Sequence, residues 1–267
     1  MAKARGSPIV AGIDIGSLSA NAVIMEKGQM VSAATILTQA DSAETASEVI
    51  GKALEGCGLR LDDVECVIST GYGRVNVPFA LKNITEISCH AMGNWWLFRD
   101  VRTILDMGGQ DCKAIRCDEN GIVTSFAMNE KCAAGTGRYL ERIAQILDIS
   151  LDEIGPSSLQ PIEGAAIINS TCTLFAEFDI VRLLRQGKHA PDIIAGASDS
   201  LTKRIIPLLD HVGVVPSFAI SGGIAKNIGM VKRLEEALDM KAHIAPDPQI
   251  VGALGAAIFA NKTASAK

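Results

Sequence analysis

Two cysteines stand where a protein can hold a reactive or metal-bound thiolate. Cys132 lies within residues 129–137 (Asn-Glu-Lys-Cys-Ala-Ala-Gly-Thr-Gly) and Cys172 within residues 170–177 (Ser-Thr-Cys-Thr-Leu-Phe-Ala-Glu), each just before an expected helix. The free N–H groups and the positive dipole end of a helix stabilise a thiolate. An isolated free cysteine is more commonly an inert core thiol. The occurrence of two such cysteines therefore suggests a thiolate-bound centre.

Aspartates followed by glycines suggest a phosphate site. Asp14 and Asp106 each end an expected apolar strand, and the glycines after them let backbone N–H groups approach an anion closely. Two such loops can hold the β- and γ-phosphates of a nucleotide, while the carboxylates bind Mg²⁺ directly or through water. One loop alone is equally compatible with turn chemistry, but its repetition favours phosphate. The candidates are Gly12, Asp14, Gly16, Ser17, Ser19, Asp106, Gly108 and Gly109.

Gln110 and Asp111 directly follow the second phosphate loop, where a polar side chain can orient an attacking water. We predict Gln110 to be catalytic, together with Asp14 and Asp106. A solvated loop pair remains an equal alternative for Gln110 and Asp111.

A third loop, residues 221–227 (Ser-Gly-Gly-Ile-Ala-Lys-Asn), follows an expected strand and precedes a helix. Gly222 and Gly223 can lie flat against a base or an α-phosphate, and we include Lys226 and Asn227 among the nucleotide-binding candidates. The alternative is a tight strand-to-helix turn.

The order of elements occurs twice along the chain. A strand at 9–15 ends at the first phosphate turn, and two more strands flank a hairpin at 26–29. A strand ending at Asp106 and two strands around a hairpin at 118–121 repeat this order. In each half a helix with apolar residues at helical spacing follows, at 42–55 and at 137–147, and later a strand leads into a glycine turn. Each half finishes with a helix, from about His90 and from about Val251.

This duplication predicts two α/β domains, each a mixed sheet flanked by helices, with the ligand in the cleft between them. We place the domains at 8–100 and 101–260, the second with an insertion at about 148–209 that contains Cys172. Helix packing is the expected role of His90 and of Trp95 and Trp96. Arg74 is expected either to contact phosphate or a carboxylate or to form a plain ion pair.

The composition narrows the class of protein. The chain has 267 residues, 48% hydrophobic, and a net charge of -5, which favours a globular protein and gives no electrostatic reason to bind nucleic acid. We find no apolar run long enough to cross a membrane and no segment typical of a signal peptide. We therefore expect a cytoplasmic location. Seven cysteines at irregular spacing, without a C-x-x-C pair, argue against a disulfide framework and a zinc knuckle.

The loops at 12–17, 105–111 and 221–223 resemble the two phosphate motifs and the adenosine motif of the acetate and sugar kinase, Hsp70 and actin superfamily. That resemblance implies a duplicated ribonuclease-H-like fold. More narrowly, four segments are similar to those of the ATP-dependent activators of 2-hydroxyacyl-CoA dehydratases, a family that includes the ATPase subunits of benzoyl-CoA reductase. These segments are residues 70–74, 86–91, 131–137 and 170–177. The resemblance spans about residues 8–260.

The resemblance implies a homodimer of anaerobic metabolism with one [4Fe-4S] cluster shared between its subunits, and pairing with a paralogue stays open as the alternative. Cys132 and Cys172 occupy the ligand positions, and a twofold axis doubles these two thiolates into the four that a cubane needs. Gly135, Thr136 and Gly137 join the nucleotide-binding candidates. Hydrolysis of ATP with Mg²⁺ would drive a low-potential electron from ferredoxin or flavodoxin to a client iron-sulfur enzyme. That client would be a 2-hydroxyacyl-CoA dehydratase, a benzoyl-CoA reductase or a double-cubane-cluster protein.

Two other functions use the same phosphate loops. A sugar or acid kinase would add an acceptor site and a general base, with Asp111 as the candidate, but would need neither cysteine motif. An actin-like or chaperone-like scaffold would use the nucleotide to switch conformation only. Iron and sulfide in anaerobically purified protein separate the activator from both.

Overall fold

The computed structural model describes residues 7–129 and 136–266, which form ten strands and eight helices numbered here along the chain. The strands are β1 (Ile9–Ile15), β2 (Ser19–Glu26), β3 (Gln29–Leu37), β4 (Cys66–Thr70), β5 (Lys82–Asn83), β6 (Thr103–Met107), β7 (Cys112–Cys117), β8 (Val123–Asn129), β9 (Phe218–Ser221) and β10 (Ala242–Ile244). The helices are α1 (Ser42–Glu55), α2 (Glu86–Leu97), α3 (Gly137–Leu147), α4 (Leu151–Ser158), α5 (Thr173–Arg185), α6 (Ala190–Val212), α7 (Ile228–Leu238) and α8 (Val251–Ser265).

The described residues divide into two compact units. The first consists of the described parts of Met1–Val101, Cys117–Val123 and Ala245–Lys267, and the second of Arg102–Arg116 and Thr124–Ile244. The sequence-based boundary near residue 100 placed the last helix in the second half, whereas α8 belongs to the first unit. Its small apolar residues pack on the first sheet and on α2.

The first unit contains a five-stranded mixed sheet of order β3-β2-β1-β4-β5. Strand β1 pairs antiparallel with β2 and parallel with β4. Helix α1 packs on one face through residues such as Val49 and Ala53, and α2 and α8 cover the other face through Met92 and Leu254. Because both faces are covered, six of the seven residues of β1 are buried.

The second unit repeats this topology, with the strand order β10-β9-β6-β7-β8. Strand β6 pairs antiparallel with β7 and parallel with β9, as β1 does with β2 and β4. The predicted duplicated α/β fold is therefore confirmed. Helices α4, α5 and α6 lie largely within the predicted insertion, and apolar residues of all three belong to the core of this unit.

Several element boundaries agree closely with the sequence predictions, and two differ. Helices α1 and α3 have the predicted ends. Strand β2 begins at Ser19 rather than near residue 22, since its pairing with β1 continues as far as Ala20 opposite Ile15. Helix α2 begins four residues earlier than predicted, because the Thr85 hydroxyl caps it by accepting from the Ser88 N–H.

Trp95 has the predicted packing role. It anchors the hairpin turn that connects β7 and β8: its indole N–H donates to the Glu119 carbonyl oxygen at 2.8 Å. A Cβ atom at Gly121 would lie 2.8 Å from Trp95 Cβ, so only glycine fits this turn against the ring. The Arg99 guanidinium lies 4.2 Å from the centre of the same ring.

None of the helices in the described parts of the chain has the length and the apolar character needed to cross a membrane.

Candidate functional site

In the first unit, the buried Asp14 lies at the carboxyl end of β1, beside the loop that follows β4. The Gly16 N–H donates to the Ser19 carbonyl oxygen at 3.0 Å and closes the first turn, and the Gly73 N–H donates to the Ile15 carbonyl oxygen at 2.9 Å. Gly71 has a φ of +84°, and a Cβ atom there would lie 2.2 Å from Asp14 Oδ1. Glycine is therefore required for this close approach.

The other oxygen of Asp14 faces α2 and α8. His90 Nε2 lies 3.9 Å from Asp14 Oδ2, and both side chains are largely buried. A Cβ atom at Gly252 would lie 2.3 Å from Asp14 Oδ2 and 2.8 Å from His90 Nε2. His90 thus meets a predicted catalytic carboxylate, a contact that the sequence analysis missed, although His90 stands in one of the segments that carry the family resemblance.

Other residues predicted in the first unit have structural partners. Gly12 lies against α8, where a Cβ atom would come within 2.1 Å of the Ala253 carbonyl oxygen, so its place is explained by helix packing. Ser19 Oγ accepts from Gln249 at 2.8 Å, and Ser17 is half-buried in the turn. Arg74 forms the plain ion pair, at 3.0 Å from Glu86.

In the second unit, Asp106 is the buried counterpart of Asp14. The Gly108 N–H donates to the Asp111 carbonyl oxygen at 3.0 Å and closes the second turn. Lys113 Nζ lies 2.7 Å from Asp111 Oδ1 and 3.4 Å from Asp106 Oδ2, so the two carboxylates share one buried ammonium. The predicted catalytic residue Gln110 is exposed at the tip of this loop.

The third loop lies directly beside the second. Strands β6 and β9 pair Asp106 with Ser221, and a Cβ atom at Gly222, where φ is +86°, would lie 2.8 Å from Asp106 Oδ1. Gly223 is exposed, with no atom of the described chain within 4 Å of its Cβ position. Lys226 is exposed as well, whereas Asn227 caps α7 by accepting from the Met230 N–H at 3.0 Å.

The first turn of α3 is hydrogen-bonded to the second phosphate loop. The Gly137 N–H donates to the Gly108 carbonyl oxygen at 3.0 Å, and the Arg138 N–H donates to the Gly109 carbonyl oxygen at 2.9 Å. Thr136, the residue before α3, is buried. The candidates Cys132 and Gly135 lie outside the described residues, in the segment immediately before this helix.

Cys172 is the N-cap residue of α5 and is half-buried. Asn169 Oδ1 fixes the loop by accepting from the Thr171 N–H at 2.8 Å and the Cys172 N–H at 3.1 Å. Arg204 donates to the carbonyl oxygens of Ser170 and Thr171. The predicted helix start at Cys172 is confirmed, and a half-exposed thiol at a helix N-terminus fits the environment that a cluster ligand needs.

The other cysteines in the described parts of the chain are enclosed or hydrogen-bonded. Burial raises the pKa of the Cys89 thiol to about 12 and raises the pKa of the Cys112 thiol as well, so both remain protonated. Cys66 and Cys117 are also buried, and Cys57 Sγ is hydrogen-bonded to backbone carbonyls of α1. Within residues 7–129 and 136–266, no group of three or more His, Cys, Asp or Glu side chains is arranged to hold a metal ion.

The two adjacent glycines of the third loop give a matched test of the nucleotide site. Gly222→Ala is expected to weaken ATP binding strongly and to lower the melting temperature, because its φ is positive and its Cβ would meet Met107 O at 2.4 Å. Gly223→Ala is expected to leave the melting temperature unchanged but to weaken binding about tenfold if a base or phosphate lies on it. Calorimetry and thermal melting measure both, and full ATP affinity in Gly223→Ala would remove this glycine from the site.

Comparison with known proteins places this geometry in a family. The model of the BadF/BadG/BcrA/BcrD ATPase family matches residues 11–260. The activator of lactoyl-CoA dehydratase from Anaerotignum propionicum is 42% identical over 256 residues, 96% of this chain and 98% of that protein. The (R)-2-hydroxyglutaryl-CoA dehydratase activating ATPase from Acidaminococcus fermentans is 38% identical over 255 residues, 95% of this chain and 97% of that protein.

A solved structure supports the same assignment. The activator of the 2-hydroxyisocaproyl-CoA dehydratase from Clostridium difficile, with bound ADPNP, superposes with a TM-score of 0.92 at 37% identity. The match covers 97% of this chain and 96% of that one. The relationship predicted from the motifs is confirmed: this chain belongs to the BadF/BadG/BcrA/BcrD ATPase family.

Proposed function

We propose that this chain is an ATP-hydrolysing iron-sulfur reductase that passes a low-potential electron to a client iron-sulfur enzyme such as a 2-hydroxyacyl-CoA dehydratase. The observation that carries the proposal is the pair of hydrogen bonds between the second phosphate loop and the first turn of α3. That helix directly follows the segment with Cys132, so a nucleotide loop adjoins a candidate cluster ligand in the chain. The relationship to dehydratase activators over nearly the whole chain supports the same function.

The nucleotide chemistry rests on the two aspartate loops. Asp14 and Asp106 are proposed to hold Mg²⁺ directly or through water, and Mg²⁺ when bound neutralises phosphate charge. The backbone of the loop at 108–109 contacts the phosphates, and Gln110 orients the attacking water from its exposed position. Gly222 brings the third loop beside Asp106, where Gly222 and the exposed Gly223 can receive the rest of the nucleotide.

The proposed [4Fe-4S] cluster is shared by two copies of the chain. Each copy contributes Cys132 and Cys172, and the cluster when bound supplies a one-electron carrier of low potential. The surface beside Cys172 supports pairing: Leu174, Phe175 and Phe178 on α5 are 69%, 63% and 78% exposed. We assign a second copy of the chain to this apolar face, because a cluster with two ligands from each chain requires another copy there.

Nucleotide binding is proposed to reach both cysteine segments through α3. An ion pair joins α3 to α5, with Arg142 Nε 3.2 Å from Glu177 Oε2. An exposed ion pair of this kind contributes little stability. The proposed coupling between nucleotide and cluster therefore depends mainly on α3, which would move together with the phosphate loop that is hydrogen-bonded to its first turn. A nucleotide shifts this equilibrium only if it binds one arrangement of the loop better than the other.

The structure favours the activator over the two alternatives. A kinase would use Asp111 as general base, yet Asp111 Oδ1 is engaged by the Lys113 ammonium at 2.7 Å. Neither a kinase nor a scaffold has a use for the fixed loop that presents Cys172. Polymerisation or peptide binding without electron transfer would restore the scaffold.

Electron transfer measured with and without Mg²⁺-ATP tests the proposed function. Anaerobically purified protein is expected to be brown, with about four iron atoms for two chains. After reduction by ferredoxin or flavodoxin, it should transfer an electron to its client rapidly with Mg²⁺-ATP and scarcely without nucleotide. A pull-down from anaerobic lysate identifies the client. Equal transfer rates in both conditions, or protein that takes up no iron and sulfide, would contradict the proposal.

A further inference from the structure

Lys113 is a buried cation that belongs to none of the residues predicted from the motifs. It lies on β7 with only 3% of its surface exposed. Its Nζ is 2.7 Å from Asp111 Oδ1 and 3.4 Å from Asp106 Oδ2. Burying an ammonium costs several kcal/mol unless carboxylates and hydrogen bonds compensate it. These two aspartates therefore stabilise the buried ammonium.

Strand pairing places the ammonium at the base of the second phosphate loop. Asp106 and Lys113 are direct partners on the antiparallel strands β6 and β7, so their side chains lie on the same face of the sheet. Asp111 immediately precedes β7. A Cβ atom on Gly108 would lie 2.7 Å from Asp111 Oδ1, so this carboxylate lies close to the loop. The Asp111 carboxylate thus lies between Gly108 of the loop and the Lys113 ammonium.

Both oxygens of Asp106 have a defined environment. Oδ1 faces Gly222, and Oδ2 faces Lys113. The nearest oxygens of Asp106 and Asp111 are at most about 6 Å apart because both lie on one ammonium. Without that cation the two carboxylates would repel each other in a poorly solvated place, and each would turn away from its present orientation.

We propose that Lys113 is a positioning residue of the nucleotide site. Its ammonium fixes Asp106 in the orientation that serves Mg²⁺-nucleotide and retains Asp111 within the loop, away from the phosphates. The inference rests on the proposed function in one respect, namely that Asp106 serves the Mg²⁺-nucleotide.

Lys113→Met tests this role, because methionine is also unbranched but carries no charge. We expect kcat for ATP hydrolysis to fall about tenfold or more, and KM for Mg²⁺-ATP to rise as the contribution of Mg²⁺ to nucleotide affinity is lost. Calorimetry measures the affinity for ADP in the presence of Mg²⁺ and in the presence of EDTA, without turnover. Mg²⁺ should strengthen ADP binding to the wild type, and this gain in affinity should largely disappear in Lys113→Met. Arg116→Met, an exposed position on the same strand, is the matched control and should behave as wild type.

Melting curves establish that each variant is folded. If Lys113→Met does not fold, the double variant Lys113→Met/Asp111→Asn carries the same test, because one of the two repelling carboxylates is then neutral. Its Mg²⁺ dependence should still be lost, since the Lys113 ammonium that orients Asp106 is missing.

A folded Lys113 variant with wild-type kcat and wild-type Mg²⁺ dependence would overturn the positioning role and leave the proposed function intact. A wild-type chain whose ADP affinity ignores Mg²⁺ and which hydrolyses no ATP would overturn both.

Discussion

Replacing Cys172 with serine is expected to abolish the visible absorption of the cluster and all ATP-dependent electron transfer. Iron-sulfur clusters are held by thiolates, and a serine hydroxyl is a hard, protonated group at neutral pH. In the proposed cluster, shared by two copies of the chain, the substitution removes two of four ligands at once. The fold should survive, because Cys172 is the N-cap residue of α5 and serine is a favourable N-cap. Iron and sulfide content, absorption and ATP hydrolysis measure the result.

Two other cysteines give matched controls for this loss. Cys57→Ser changes a half-buried thiol at the end of α1, and Cys117→Ser changes a buried thiol whose Sγ donates to the Val101 carbonyl oxygen at 3.6 Å. Both variants should retain the cluster spectrum, and Cys132→Ser should lose it as Cys172→Ser does. A wild-type spectrum in either Cys172→Ser or Cys132→Ser would remove that residue from the ligand set.

The repeated strand order was predictable because its signals are local. In each half, an apolar strand with its aspartate near the carboxyl end, a glycine hairpin and a helix with regular apolar spacing can each be recognised from a short stretch of sequence. The packing partner of α8 was not predictable in this way. Nine of its fifteen residues are buried and most are small and apolar, so its sequence does not show which sheet it covers.

The candidate site was predictable where it consists of loops and not where it depends on contacts between distant segments. Gly12 was predicted to bind phosphate because it precedes Asp14 in the sequence. In the structure a glycine is needed at this position because α8 packs closely against it. His90 was assigned to packing, and Gly252 was not considered, since their contact with Asp14 arises only when α2 and α8 fold onto β1. Lys113 left one signal in the sequence, namely a charged residue at the start of the expected strand that follows the second phosphate loop.

Asp106→Asn is expected to separate the two halves of the proposed mechanism. Asparagine has the same shape but no negative charge, so it cannot compensate Mg²⁺ or pair with Lys113 as a carboxylate does. ATP hydrolysis should fall about a hundredfold or more. The cluster should still assemble, because the described loop that ends at Cys172 is fixed by Asn169 and Arg204 and not by Asp106.

The decisive measurement on this variant is electron delivery to the client in the presence of Mg²⁺-ATP, with iron content and melting temperature as checks on the cluster and fold. Asp41→Asn is the matched control: Asp41 caps α1 in the first unit, and asparagine caps helices equally well.

If hydrolysis drives transfer, Asp106→Asn should keep its iron, lose turnover and deliver almost no electrons. Wild-type hydrolysis would move the nucleotide site away from Asp106. Lost hydrolysis with wild-type electron delivery would show that the cluster works without the ATPase. The hydrogen bonds that the first turn of α3 donates to Gly108 and Gly109 would then carry no signal from bound nucleotide.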